Sequence, residues 1–201
     1  MSSKKIPSHL DHPIDNILID IAEHLNPYFK NLNFTPNMIT LLSLIFGIIS
    51  ITGYIYHTYI ISGIMLFISY FFDCMDGNYA RRYNMQSKFG DKLDHIKDWL
   101  VISFLIGGVL LHKKTSIKFK LISMFVLILL LLGSAIHTGC TEEYIRKHKP
   151  KNKKGNQIQN SDMIGIVSFC PNIEFLKKSR YLGTASFTIG IIIIIILHKY
   201  I

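Results

Sequence analysis

Apolar residues in this chain gather into blocks of membrane-spanning length, with polar residues confined mainly to their ends. The clearest blocks are Pro36–Tyr56, Ile60–Ala80, Phe89–Leu111, Leu121–Ile136 and Leu182–Leu197, the last ending in the isoleucine run Ile191–Ile196. A hydrocarbon core ~30 Å thick takes roughly 20 apolar residues per helix, so these blocks predict spanning helices. A further block, Met163–Leu176, is broken by Cys170-Pro171-Asn172. At ~1.5 Å per residue it reaches only ~21 Å, and the pattern by itself leaves five or six spans open. Ahead of the first span, Ile14, Ile17, Leu18, Ile21, Ala22 and Leu25 interleave with Asp15, Asp20 and Glu23. That spacing predicts an amphipathic helix, which either lies on the membrane surface or straps the bundle. No apolar core with a cleavage site opens the chain, so no signal peptide is expected.

Composition agrees with this division. Of 201 residues, 49% are hydrophobic, while the formal charge is +9. Such apolar runs are foreign to a soluble domain of this size. The expected class is all-α: a polytopic transmembrane helix bundle of six spans, five being the alternative. Residues 1–33 form an amphipathic juxtamembrane segment and residues 34–201 one transmembrane domain. With six spans, Lys4, Lys5, Lys30, Arg81, Arg82, Lys88, Lys92, the basic stretch Arg146–Lys154 and Lys199 fall on one side. Lys113, Lys114, Lys118, Lys120, Lys177, Lys178 and Arg180 fall on the other. The first group is larger, which places the N-terminus and the mouth of the acidic site on the cytosolic side. Residues 146–160 read as a solvated loop near anionic lipid headgroups. No nucleic-acid partner is expected. Cys74, Cys140 and Cys170 are odd in number and form no CxxC pair, so no disulfide framework is predicted.

Against this background, the stretch DCMDGNYARRYNMQSKFGDKLDHIKD, residues 73–98, stands out. Asp73 and Asp76 are spaced i,i+3 and Asp94 and Asp98 i,i+4, so each pair shares one helix face. The pairs mirror each other about a polar turn, and an antiparallel hairpin would stack them in two layers. Each aspartate costs ~2.5–3.5 kcal/mol near the bilayer centre and needs a polar cavity or a partner. Lys97 is the one basic residue in the apolar part of either helix and is read as a snorkelling side chain. One lysine cannot neutralise four carboxylates; divalent cations can. Oxygen donors suit Mg²⁺, Mn²⁺ or Ca²⁺, and Mg²⁺ is commonly shared with substrate phosphates. This points to a diphosphate at a site of two ions. Gly77, Ala80 and Gly90 permit close approach of a neighbouring helix or a nucleotide, and Arg81 can grip a phosphate.

The pattern Asp73-x2-Asp76-Gly77-x2-Ala80-Arg81-x8-Gly90-x3-Asp94-x3-Asp98 resembles the full signature of the CDP-alcohol phosphatidyltransferase family. The stretch Thr35-Pro36-Asn37-Met38-Ile39-Thr40 is similar to the segment that opens that family's first membrane helix. The resemblance covers roughly residues 26–115 and implies a six-helix core and a homodimer. It further implies that a CDP-alcohol donor and an alcohol acceptor, at least one of them a lipid, react with release of CMP. By the same resemblance Asp73, Asp76 and Asp94 are metal ligands for Mg²⁺ or Mn²⁺, and Asp98 is the general base that also touches a metal.

Plainer readings stand beside these. Asn37 and Thr40 share a face and either reach a bound cytidine or serve as cap and back-bonded hydroxyl. Ser87 is a nucleotide contact, an N-cap, or both. Arg82 reads as an interfacial anchor, and His95 as a residue behind the site or at the interface. Two other functions compete with the transferase: a Mg²⁺-dependent membrane prenyltransferase with an aspartate-rich site, and a non-catalytic protein that binds divalent cations.

Overall fold

The computed structural model describes residues 4–112, 115–148 and 170–200. All the regular structure among them is helical: α1 Pro13–Asn31, α2 Pro36–Ile55, α3 Tyr59–Arg82, α4 Lys88–Leu111, α5 Ile117–His148, α6 Ile173–Ser179 and α7 Thr184–Leu197. Short 3₁₀ turns at Arg180–Leu182 and His198–Tyr200 follow α6 and α7. Local chemistry sets the boundaries. Thr35 accepts from the Met38 amide and is followed by Pro36, Ser87 accepts from the Gly90 amide at 3.0 Å, and Asn172 accepts from the Phe175 amide at 2.8 Å. The chain leaves α1, α2 and α3 through Asn33, His57 and Asn84, whose φ values of 57°, 61° and 54° are left-handed. Asparagine, and less often histidine, accepts that conformation, which turns the backbone out of the helix.

Four helical rods are long and apolar enough to cross a membrane: Pro36–Ile55, Tyr59–Arg82, Ile117–His148 and the continuous stretch Ile173–Tyr200. The protein is therefore an all-α membrane helix bundle. α4 is as long as α3 but carries Asp91, Lys92, Asp94, Lys97 and Asp98, and its charge sets it apart from the apolar rods. Ile45, Ile48, Phe104, Leu121, Phe125, Leu129 and Ile193 remain exposed, as expected of a surface solvated by lipid.

Small and hydroxyl residues let α2 pack tightly against its neighbours. Ser43 and Ser69 each donate to the other's backbone carbonyl at 2.8 Å, and Ser50 donates to the Ser62 carbonyl at 2.8 Å. Such bonds replace the hydrophobic drive that is missing between helices in lipid. A Cβ on Gly47 would lie 2.6 Å from a Val101 methyl, so glycine is what permits the α2–α4 contact. Tyr54, Leu66, Val101, Leu105, Leu127, Phe187 and Ile191 unite α2, α3, α4, α5 and α7 in one core.

The amphipathic segment forms α1 and packs on α3. Leu18 and Ala22 are buried, whereas Ile17 and Ile21 stay exposed. Asn26 donates to Asn78 at 2.7 Å, and Arg82 to the Glu23 carbonyl at 3.0 Å. Arg82 thus fastens α1 to α3.

Three expectations need correction. α5 runs on to His148, so residues 146–148 belong to a helix rather than to the polar loop; the remainder of that loop, 149–160, lies outside the described residues. Cys140 and Cys170 are joined by a disulfide. Odd number and spacing could not reveal it, because the pairing depends on the start of α6 folding back on α5, where Ile6, Leu10 and Leu176 complete a small buried cluster. Of the doubtful span 163–176 only residues 170–176 are described; they lead into α6, seven residues long and continuous with α7. Among the described residues five rods run between the two ends, which puts Lys177, Lys178 and Arg180 at the aspartate end and Lys199 at the opposite one. Lys113 and Lys114 lie outside the described residues.

Candidate active site

α3 and α4 bring the acidic residues together just inside one end of the bundle. Carboxylate oxygens of Asp73, Asp76 and Asp94 all lie within 4.8 Å of one another. Asp98, one turn deeper on α4, is not part of that triad and is instead 3.0 Å from the Lys97 ammonium. Asp76 is buried, and the Thr40 hydroxyl lies 2.6 Å from its Oδ2 and 3.1 Å from the Pro36 carbonyl. The back-bonded hydroxyl expected of Thr40 is present, and the same hydroxyl also faces the acid.

The N-terminus of α4 makes one wall. A Cβ on Gly90 would lie 2.8 Å from Asn37 Oδ1 and 3.1 Å from Ser87 Oγ. Glycine therefore lets Asn37 of α2 reach the capped start of α4, and Asn37, Ser87 and Gly90 form one polar corner. On α3, the Arg81 guanidinium folds back over Gly77, with Nη1 3.2 Å from the position of a Cβ there. Ala80 is half-buried on the same helix. His95 Nε2 lies 4.0 Å from Asp91 and takes no place among the clustered acids.

Lys97 does not snorkel. Its side chain is only 3% exposed, and Nζ donates to Asp73 Oδ1 and to Ser43 Oγ at 3.1 Å, with Asp94 Oδ1 also 3.1 Å away. The attraction of several carboxylates outweighs the pull of the interface. The signal was visible in the sequence as the lone cation i+3 from Asp94; what it lacked was the knowledge that α2 and α3 close over it.

Sequence reasoning also missed a second polar group beside the triad. Tyr70 donates to Asp15 Oδ1 at 2.5 Å, and the Thr184 hydroxyl lies 3.1 Å from Tyr70. Asp15 belongs to α1, so the amphipathic segment delivers a buried carboxylate within electrostatic range of Asp73. Burial raises its pKa to about 7; the Tyr70 hydrogen bond opposes the rise, and the charges of Asp11 and Asp73 add to it.

The donor set fits a hard divalent cation. It contains oxygen only, and Asp94 Oδ1 is buried without a hydrogen bond despite its nearness to Lys97. A carboxyl oxygen that faces two other carboxylates and accepts no hydrogen bond suits a cation's ligand.

The sequence profile of the CDP-alcohol phosphatidyltransferases matches residues 33–198. The chain belongs to that family. Its members use a CDP-alcohol donor and an alcohol acceptor, generally with a divalent metal. The chain is 30% identical to the bifunctional IPC transferase and DIPP synthase of Aquifex aeolicus, over 64% of this chain and 29% of that protein. It is 39% identical to choline/ethanolaminephosphotransferase 1 of Arabidopsis thaliana, over 34% of this chain and 21% of that one. Archaetidylinositol phosphate synthase of Pyrococcus horikoshii is 29% identical over 44% of this chain and 47% of its own length. The chain thus spans less than half the length of each of these relatives. No solved structure gives a significant match.

Proposed function

We propose that this protein transfers a substituted phosphate from a CDP-alcohol to the hydroxyl of a second alcohol, releasing CMP, in phospholipid synthesis at the cytosolic face of a membrane. The observation that carries the reading is the triad Asp73, Asp76 and Asp94, converging within 4.8 Å inside a membrane bundle. Buried carboxylates this close repel one another, and a bound divalent cation relieves that repulsion. The cytosolic placement is supported by the basic side chains Lys4, Lys5, Arg81, Arg82, Lys177, Lys178 and Arg180, which share the end that holds the triad.

Asp73, Asp76 and Asp94 would hold Mg²⁺ or Mn²⁺, which when bound neutralises the diphosphate and polarises its phosphoryl oxygens. Arg81 at the rim supplies a guanidinium fork for a phosphate, and Asn37, Ser87 and Gly90 form a corner of amide, hydroxyl and bare backbone suited to the nucleoside. Asp98 lies one turn deeper than Asp94, next to the triad across the Lys97 ammonium, and is assigned the role of base for the incoming hydroxyl. It takes the proton as the acceptor oxygen bonds to the β-phosphorus and the bond to the CMP oxygen breaks. The long exposed apolar surface offers a lipid substrate lateral access to this end of the bundle.

The donor is the finer question. The Arabidopsis relative is named for choline and ethanolamine phosphotransfer and the Pyrococcus relative for archaetidylinositol phosphate synthesis. Those names direct the test toward both headgroup-linked and lipid-linked CDP donors. Purified protein in nanodiscs, given radiolabelled CDP-choline, CDP-ethanolamine and CDP-diacylglycerol with matching acceptors, should release labelled CMP from one of them in a chelator-sensitive way. Turnover of a prenyl diphosphate without inhibition by cytidine nucleotides, or metal flux into liposomes with no CMP from any donor, would sink the proposal.

A further inference from the structure

Four oxygens surround the Lys97 ammonium: Ser43 Oγ at 3.1 Å, Asp94 Oδ1 at 3.1 Å, Asp98 Oδ1 at 3.0 Å and the contacting Asp73 Oδ1. An ammonium has three N–H donors. One acceptor must go short, and it is Asp94 Oδ1 that has no hydrogen bond. Ser43 is itself fixed, because its hydroxyl donates to the Ser69 carbonyl at 2.8 Å and its carbonyl accepts from the Ser69 hydroxyl. The nest around Nζ is therefore built from α2, α3 and α4 together and contains oxygen atoms only, the same donor chemistry that would receive a hard dication.

Charge then decides how many ions the site can take. A dication placed in the Asp73–Asp76–Asp94 triad gains from carboxylates on both sides, and Asp76, which Lys97 does not touch, is left for it. A second dication on the Asp98 side would have to share Asp73, Asp94 and Asp98 with an ammonium that already contacts one oxygen of each, and the two like charges so close together would repel.

We propose that Lys97 is a tethered counter-cation standing in for one of two divalent ions, so that the nucleotide-free protein binds a single divalent cation per chain and loss of the lysine opens a second site. The inference rests on the reading of the triad as a metal centre and adds its stoichiometry. Lys97 also keeps Asp73, Asp94 and Asp98 gathered when no ion is bound, which makes it a positioning residue for the carboxylates.

The test is a Mn²⁺ titration of the full chain in nanodiscs without nucleotide, followed by electron paramagnetic resonance, together with melting curves with and without Mn²⁺. Wild type should take up one Mn²⁺ per chain. Lys97→Met should take up two, melt at a lower temperature without metal, and gain more from Mn²⁺ than wild type does; Lys97→Arg should keep a stoichiometry of one. Two ions in the wild type, or one in Lys97→Met, overturns the assignment while leaving the metal centre intact. If Lys97→Met does not fold, wild type and Lys97→Arg decide: one ion in both supports the proposal and two in either overturns it. No Mn²⁺ bound by wild type overturns the metal centre itself, and the role of Lys97 with it.

Discussion

At one end of the bundle Asp73, Asp94 and Asp98 crowd around a single lysine with Asp76 beside them; at the other, His57, His112 and His198 meet Tyr54, Tyr59 and Thr115. Both groups are assembled from several helices, and both take polar side chains out of water. At the histidine end the Tyr59 hydroxyl lies 2.8 Å from His57 Nδ1 and 3.4 Å from His112 Nε2, and Tyr54 lies 3.2 Å from His198 Nδ1. Thr115 bridges His112 Nδ1, at 3.1 Å, and His198 Nε2. Hydroxyls and neutral imidazoles each donate and accept, so a ring of them can satisfy itself. Carboxylates only accept, and they repel one another. The aspartate end consequently leaves Asp94 Oδ1 without a hydrogen bond and leans on Lys97. A self-sufficient polar cluster clasps helices together; one that depends on a cation is built to receive something.

The sharpest break between the two ends is expected from Asp76→Ala. If the triad holds the ion, CMP release should fall on the order of 10⁴-fold, equivalent to roughly 5 kcal/mol of transition-state stabilisation, and Mn²⁺-dependent donor binding should vanish as well. Donor-binding and CMP-release assays read both. Asp98→Asn should lose about 10²–10⁴-fold in CMP release, the range for a general base, yet still bind the donor. Wild-type turnover in that variant would remove Asp98 from the chemistry.

The next effect is in stability and depends on pH. Asp15, on α1 and outside the spanning rods, has its pKa raised by burial from 3.8 to about 7. Between those values the folded chain keeps a proton that the unfolded chain has released, so stability falls as pH rises from about 4 to about 7 and the loss is complete above that. Asn at this position can still accept from Tyr70 and carries no charge. Asp15→Asn should therefore match wild type near pH 4 and exceed it by a few kcal/mol at pH 8, with melting temperature measured across the range. A gap that does not widen with pH would show that Asp15 ionises at no cost.

The smallest effect belongs to the histidine end. Tyr54→Phe removes a hydrogen bond to His198 and should cost about 1 kcal/mol of stability with CMP release within about twofold of wild type. A large loss of activity at unchanged stability would erase the distinction between clasp and site.

The motif region was legible because its signals are local. Helical spacing alone puts Asp73 with Asp76 and Asp94 with Asp98, and the N-cap of Ser87 follows from its place before the helix. Lys97, Asp15 and the cysteine pair were not legible for a common reason: each depends on a partner far along the chain. Lys97 was read from its neighbours on α4, but Ser43 of α2 and Asp73 of α3 hold it. Asp15 was read only as one polar residue of an amphipathic helix, but it is buried against Tyr70. Cys140 and Cys170 were counted rather than placed.

By itself the sequence determined that this is a membrane helix bundle with an acidic centre, because apolar length and the period of the α-helix are properties of a continuous stretch of chain. Only the tertiary structure decided which carboxylates converge, that Lys97 lies among them, and that α1 adds Asp15 beside them. Those outcomes turn on electrostatic and packing energies between helices, which act across space and leave no periodicity in the order of residues.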